Sequence, residues 1–448
     1  LVLLCYLVLP RKISCLTFIM DVGVYFMSIK RISPHPLPKL ERFLKNFKDI
    51  FGRSDTFSSA ERYIAGLLSD LTSKTCSKMG VAIEGTSGQS LQEFLTNSTW
   101  DHDELNRLRI KYMIENATKE DGIIVVDDTG FAKKGKSSVG VSRQYSGTLG
   151  KVGNCQIAVS LQYADSRYTW PVNARVYLPQ AWTDDKDRLK KARVPDDIKF
   201  KTKIEIALDL LKQATEVGVN CKAVVADAGY GSNPNFLESL EEQKLFYAVQ
   251  VRRDFTVRLK DSNENIISKE KLVSLSPVPE IGQLAESIPD EQWETLSWKQ
   301  GSKGALKKQF VFLKGCWETI KYGKVGSSNW IILERSISGE DVEFKYCISS
   351  LPEDTPKIQL IQYLHRRETI ERFYQDAKTD LGLDQYEGRM WHGFHRHFIM
   401  VMLAYSFLVL RCKEYDQKVT KYEVVAESEY SPPLDKGKGI FSPSSILG

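Results

Sequence analysis

Three acidic side chains in this sequence stand where carboxylates can work together. Asp127 closes a β-branched run, Ile123 to Val126, and Asp227 closes a second apolar run, Ala223 to Ala226. Each run has the composition of a short buried strand, so each delivers an acidic side chain to a strand exit. Taken singly, an Asp in such a place is a turn residue or a helix N-cap. Two at equivalent exits, with Glu371 waiting on a helix, shift the reading toward a carboxylate site. Such a cluster suits hydrolysis by an acid and base pair, and the cations beside it suit chemistry on a phosphate chain.

The helix predicted over Tyr363–Leu381 must position the third carboxylate. At 3.6 residues per turn, Ile370, Phe373, Ala377 and Leu381 share an apolar face, and Arg367, Glu371, Gln375 and Lys378 line its neighbour. Arg367 precedes Glu371 by one turn, the less favourable order against the helix dipole. Helix stabilisation alone therefore explains this stripe poorly. Arg367 and Lys378 are candidates to hold phosphate, the first as a fork and the second as a point charge. Successive strand residues point to opposite faces, so Asp127 and Asp128 compete for one role, and Asp127, directly closing the strand, is favoured.

The elements around these residues follow an order of strands, helix, strand ending in Asp227, helix and strand. That is the βββαβαβ layout of a ribonuclease-H-like α/β domain, whose first and fourth strands are central neighbours. It predicts Asp127 and Asp227 side by side. The catalytic domain would comprise residues 119–251 and 351–412, interrupted by a mainly β insertion at 252–350. Residues 36–118 predict an all-helical domain, for DNA binding or as scaffold, with a capping box at Ser58 and Glu61 and one helical pattern over 90–115. The opening 1–35 is apolar but too short in each run to span a bilayer. Its charge order is wrong for a signal peptide, and the expected biological start is Met20 or Met27. From Lys413 the apolar pattern is lost, which predicts a disordered tail over 413–448.

A net charge of +5 over 448 residues leaves partner inference to local patches. Phe131–Lys151 carries Lys133, Lys134, Lys136, Arg143 and Lys151 without one acidic residue. Between Lys299 and Lys324 there are seven lysines against one acid, Glu318, with Trp298 and Trp317 in or beside the run. Cations with interleaved aromatics suit DNA, a Trp stacking on an exposed base, although for either Trp taken singly a place in the core of the insertion is the better reading. The eight cysteines form no C-x-x-C pair, against a zinc ribbon or a stapled secreted domain. His392, His395 and His397 likewise lack a cysteine at ligand spacing, which leaves phosphate contacts or helix capping.

Three stretches, IIVVDDTGFAKKGKSSVGVSRQYSGTLGKVGNCQ, AVVADAGYG and RRETIERFYQDAK, resemble the DDE transposases of bacterial insertion sequences, relatives of retroviral integrases. Relatives of this class carry Y-x2-R-x3-E-x6-K, and Arg367, Glu371 and Lys378 keep that spacing. Tyr363 stands one position too early. The resemblance implies that Asp127, Asp227 and Glu371 hold two Mg²⁺ ions, replaceable by Mn²⁺, and its D-x-T arrangement again favours Asp127 through Thr129. It implies cleavage at terminal inverted repeats of double-stranded DNA, joining of the 3′-OH to target DNA, and a homodimer on DNA. It also implies a hairpin route for strand ends, cytoplasmic, nucleoid-associated action, no membrane, and DNA contacts at Lys133, Lys134, Arg143, Trp298, Arg367 and Lys378. The competing expectations are a transposase-derived DNA-binding protein without catalysis and a carboxylate-pair hydrolase such as a glycosidase.

Overall fold

The computed structural model describes Ile32 and residues 37–260, 278–301, 304–319, 324–337 and 342–429. The predicted apolar opening therefore lies outside the described residues, except for Ile32, which bridges to Ile83. Five helices come first: α1 (Pro38–Lys45), α2 (Ser54–Leu67), α3 (Cys76–Ala82), α4 (Gly88–Thr96) and α5 (His102–Ala117). Pro38 stands at the start of α1, where its missing N–H costs nothing. The pattern expected as one helix over 90–115 is two, because the Asp101 side chain accepts the Asp103 and Glu104 N–H groups and starts α5 afresh. The capping box expected at Ser58 does not form. Helix α2 already begins at Ser54, and Phe57 ahead of that site is on its buried face.

The sheet then begins with β1 (Ile123–Ala132), β2 (Ser142–Ser146), β3 (Lys151–Ala164) and β4 (Thr169–Val176). Helices α6 (Gln180–Thr183), α7 (Lys186–Lys191) and α8 (Lys203–Val217) lead to β5 (Val224–Ala226), α9 (Ala228–Gly231), α10 (Pro234–Glu242) and β6 (Tyr247–Val251). Strand β1 pairs antiparallel with β3 and parallel with β5, and β5 runs parallel to β6. Asp127 is in mid-strand rather than at an exit, since β1 continues to Ala132. Its parallel neighbour stops at Ala226, opposite Val126, so β1 loses its partner on that side where Asp127 stands.

Residues 252–350 contribute β7 (Val257–Leu259), α11 (Ile281–Ser287), β8 (Glu294–Gly301), β9 (Gly304–Thr319), β10 (Lys324–Val325), β11 (Trp330–Arg335) and β12 (Phe344–Ser349). These strands extend the same sheet, whose order is β10-β9-β11-β12-β6-β5-β1-β3-β2. Strand β12 covers the edge of β6, with Ile348 opposite Val249, which pairs backbone groups that would otherwise be an exposed edge.

Three helices complete the fold: α12 (Lys357–His365), α13 (Glu368–Leu381) and α14 (Trp391–Glu429). The first half of α14 is the centre of the core. Met400, Val401, Met402, Leu403, Ala404 and Tyr405 are all fully buried. Phe407 meets Phe43 of α1, and His397 Nδ1 lies 2.8 Å from the Tyr63 hydroxyl of α2. Trp391–Gln417 is long and apolar enough to cross a bilayer, but 89% of its apolar window is buried in protein, as in a core helix. The expected disorder from Lys413 is not seen up to Glu429. Lys413, Glu414 and Gln417 lose the apolar stripe yet favour helix, and the helix runs on. The remainder of the expected tail, 430–448, lies outside the described residues.

Candidate active site

The parallel register of β1 and β5 brings Asp127 beside Asp227. Asp227 follows the last residue of β5 and caps α9, its Oδ1 accepting the Gly229 N–H at 2.9 Å and the Tyr230 N–H at 3.3 Å. It is thus both the N-cap that its position suggests and a carboxylate facing a second carboxylate. Asp127 Oδ1 accepts the Asp128 N–H at 2.7 Å. Burial, then the charge of Asp227, push the Asp127 carboxyl up to about 7, against the opposing pull of that N–H and of Arg367.

Helix α13 packs across the same face of the sheet and supplies Glu371. Arg367 stands between the two elements, with Nη2 2.6 Å from Glu371 Oε1 and Nη1 3.7 Å from Asp127 Oδ2. One guanidinium thus bridges the carboxylate on the strand and the one on the helix. The Glu371 side chain is 56% exposed, whereas that of Asp127 is 15% exposed, so the site opens to solvent from the helix side. The ligand atoms of Asp127, Asp227 and Glu371 do not converge within 4.8 Å. Among the described residues that closeness belongs to Asp101, His102 and Asp103.

Asp128 points to the opposite face of β1. Its Oδ2 receives Lys203 of α8 at 3.0 Å and the Tyr230 hydroxyl at 3.4 Å, whereas Asp127 shares Arg367 with Glu371. Lys378 donates to Thr129 Oγ1 at 2.8 Å and to the Gly130 carbonyl at 3.0 Å. Burial holds its ammonium below the ordinary lysine range. The stripe of α13 therefore meets β1 at two heights, through Arg367 at Asp127 and through Lys378 two residues on.

The other sequence candidates separate. Lys134 and Arg143 are exposed. Lys133 is half-buried, its ammonium donating to the Tyr386 carbonyl at 2.6 Å. Trp298 stacks on His365, with ring centroids 4.0 Å apart and planes at 19°. Trp317 is buried and donates its indole N–H to the Tyr247 hydroxyl at 3.0 Å, the core alternative of the sequence reading. Tyr363 is a core residue of α12, its hydroxyl accepting from Gln359. His395 and His397 are buried and bonded, to the Trp391 carbonyl and the Val176 N–H and to Tyr63 and the Leu383 carbonyl respectively.

The family model described as DDE superfamily endonuclease matches residues 46–305, a span that holds both aspartates and ends before α13. The chain is also 31% identical over 359 residues to a probable transposase for insertion sequence element IS701 from Microchaete diplosiphon, covering 78% of this chain and 83% of that protein. The chain belongs to the DDE superfamily of endonucleases, among the transposases of insertion sequences. The NurA nuclease from Sulfolobus solfataricus aligns over 73% of this chain and 94% of its own, at 8% identity and a TM-score of 0.24, a likeness that carries no argument.

Two further residues, Tyr374 and Glu334, were not marked out by the sequence. The Tyr374 hydroxyl of α13 lies 2.7 Å from Ser160 Oγ, and Ser160 is the cross-strand partner of Asp127. This bond ties the Glu371 helix to the strand beside the first aspartate. Burial, then the Asp127 charge, drive the Tyr374 phenol well above its ordinary range, so it stays protonated. Its signal was present as Glu371 plus three, one turn along the helix. Glu334 of β11 is the other. It is buried between His365 Nε2 at 2.9 Å and Lys308, and no local motif marks it because its partners come from two other elements, α12 and β9.

Proposed function

We propose that Asp127, Asp227 and Glu371 hold a pair of divalent cations, Mg²⁺ by preference with Mn²⁺ able to replace it, for cleavage and joining of DNA strands. The observation that carries this reading is the unbalanced pair: Asp127 and Asp227 repel each other in a half-buried place, and Arg367 supplies only one positive charge across Asp127 and Glu371. An all-oxygen donor set of this kind fits a hard cation. Bound there, the ions supply an activated water or 3′-OH and neutralise the leaving oxygen.

The chain's own residues set the geometry for that chemistry. Asp127 presents its carboxylate where β5 has ended, and Asp227 is fixed by its cap. Glu371 is released for a cation when Arg367 turns from carboxylate to DNA phosphate, which its planar fork suits. Lys378, held on Thr129, marks the same strand for a second phosphate contact. Lys134 and Arg143 extend the cationic surface toward flanking DNA, while Lys133 and Trp298 serve by packing. The strand order β4-β3-β1-β5-β6, with β5 and β6 parallel to β1, supports a ribonuclease-H-like catalytic core. Helices α1 to α5 then act as a scaffold around α14, and residues 252–350 as an extension of the catalytic sheet. The substrates are the terminal inverted repeats of the element and a target duplex, handled by two copies of the chain on DNA in the cytoplasm at the nucleoid.

The test uses element DNA carrying both terminal repeats with Mg²⁺ or Mn²⁺. Wild-type protein is expected to cut at the repeat ends and lose activity in EDTA, with Asp227→Ala and Glu371→Gln slower by about a thousandfold, equivalent to roughly 4 kcal/mol of barrier. Equal cutting by either variant would overturn the assignment of these residues. Binding without cleavage by the wild type would favour a DNA-binding protein without catalysis.

A further inference from the structure

We infer that Tyr145, with the cations of the β2–β3 hairpin, forms a stacking platform for an unpaired nucleotide of the DNA strand that enters the carboxylate site. This rests on the proposed DNA-cleaving function. Strand register places Tyr145 relative to Asp127. Asp127 pairs with Ser160 across β1 and β3, and farther along β3 Asn154 pairs with Arg143 and Val152 with Tyr145. Side chains alternate along a strand, so Ser160, Ala158, Gln156, Asn154 and Val152 share one face. Tyr145 and Arg143 thus stand on the same face of the sheet as Asp127, where the sheet runs out past the helices that cover its core.

Packing does not account for the ring. Tyr145 is 63% exposed and its partner Val152 is 52% exposed, an apolar pair open to solvent at the edge of a sheet. The hairpin that carries them is firmly seated. A Cβ on Gly130 would meet Ser146 Oγ at 2.0 Å and Ser146 Cβ at 3.0 Å, so the hairpin lies closely against β1 at this glycine. Thr148 Oγ1 accepts the Gly130 N–H at 3.2 Å and lies 3.5 Å from Lys378 Nζ. Gly130 is three residues beyond Asp127, or about 10 Å at strand rise, a length of about three base steps along one DNA strand.

Charge names the occupant. From Thr129 to Ala164 the chain has no Asp or Glu, and Lys134, Lys136, Arg143 and Lys151 are all exposed. An exposed aromatic ring on an unopposed cationic hairpin is the arrangement that holds single-stranded nucleic acid, base on ring and phosphate on cation. Trp298, the aromatic that sequence alone favours for this task, has His365 stacked against it. Tyr145 has its ring open.

The experiment compares two DNA probes, a fully paired duplex and the same duplex with a short unpaired 3′ overhang containing 2-aminopurine, without added divalent ion so that no strand is cut. Wild type and Tyr145→Phe are expected to quench the 2-aminopurine and to prefer the overhang probe. Tyr145→Ala is expected to lose the quenching and roughly tenfold in affinity for the overhang probe, with its binding to the paired duplex unchanged. Equal quenching by Tyr145→Ala, or an equal loss on both probes, overturns the platform while Mg²⁺-dependent cleavage by that variant leaves the proposed function standing. Weaker self-association of Tyr145→Ala with both DNA affinities intact would mean that a second copy of the chain covers the hairpin, and would also overturn it. Wild-type protein that neither binds nor cuts DNA would overturn both readings.

Discussion

Two buried carboxylates in this protein, Asp127 and Glu334, have opposite electrostatics. Burial by itself would raise both. Around Glu334 the penalty is more than met, by His365 and then Lys308, and its carboxyl is held down to about 2. Around Asp127 the largest effect of any neighbouring charge comes from another aspartate, Asp227, and its carboxyl rises to about 7. The first arrangement is complete within the chain: it joins β9 and β11 to the end of α12, immediately before Arg366 and Arg367. The second calls for positive charge from outside, beyond the one guanidinium that Arg367 divides between Asp127 and Glu371. On the proposed function, the difference separates a carboxylate that holds the fold from one kept in wait for a cation.

Removing each carboxylate should therefore move stability in opposite directions. Glu334→Gln leaves Lys308 and His365 without their anion in a buried place, and should cost about 3–5 kcal/mol in denaturant unfolding. The Glu334 contribution is present above the unfolded pKa near 4.3 and is lost as pH falls toward 2, so variant and wild type should converge in acid. Convergence at pH 8 instead would show that the trio is not a satisfied ion pair.

Asp127→Asn should do the reverse in the absence of metal. A carboxyl with a raised folded pKa stabilises the protein below its unfolded value, near 3.9, and that stabilisation drains away as pH climbs to about 7. At pH 8 the wild type carries the full penalty, up to about 4 kcal/mol with the pull of Arg367 already counted. The Asn variant should melt higher at pH 8, should match the wild type near pH 4, and should be inactive in cleavage. A lower melting point at pH 8 would mean that the Asp127 carboxylate is already satisfied within the fold.

The same contrast explains what the sequence disclosed. Asp127, Asp227 and Glu371 were legible because each sits in a local pattern, the β-branched run, the AVVADAGYG turn and the helical stripe, whose geometry follows from a few residues. Alternation along a strand set Asp127 and Asp128 on opposite faces, and Lys203 and Tyr230 stand on the Asp128 side. Glu334 was illegible because Lys308 and His365 reach it from other elements. Trp298 and Tyr145 show the limit for aromatics. Both lie in basic runs, and only the tertiary neighbour His365 tells a packed ring from an open one. The joining of β12 to β6 was hidden in the same way, since composition marks a strand but not the edge it will cover.

The most direct test of the carboxylate site is proton release on Mn²⁺ binding, measured calorimetrically in buffers of different ionisation enthalpy. With the Asp127 carboxyl at about 7, binding at pH 6 should expel close to one proton, and at pH 8.5 almost none. Asp127→Asn should release none at either pH. Mn²⁺ binding with no proton release at pH 6, or with release that survives Asp127→Asn, would contradict the account.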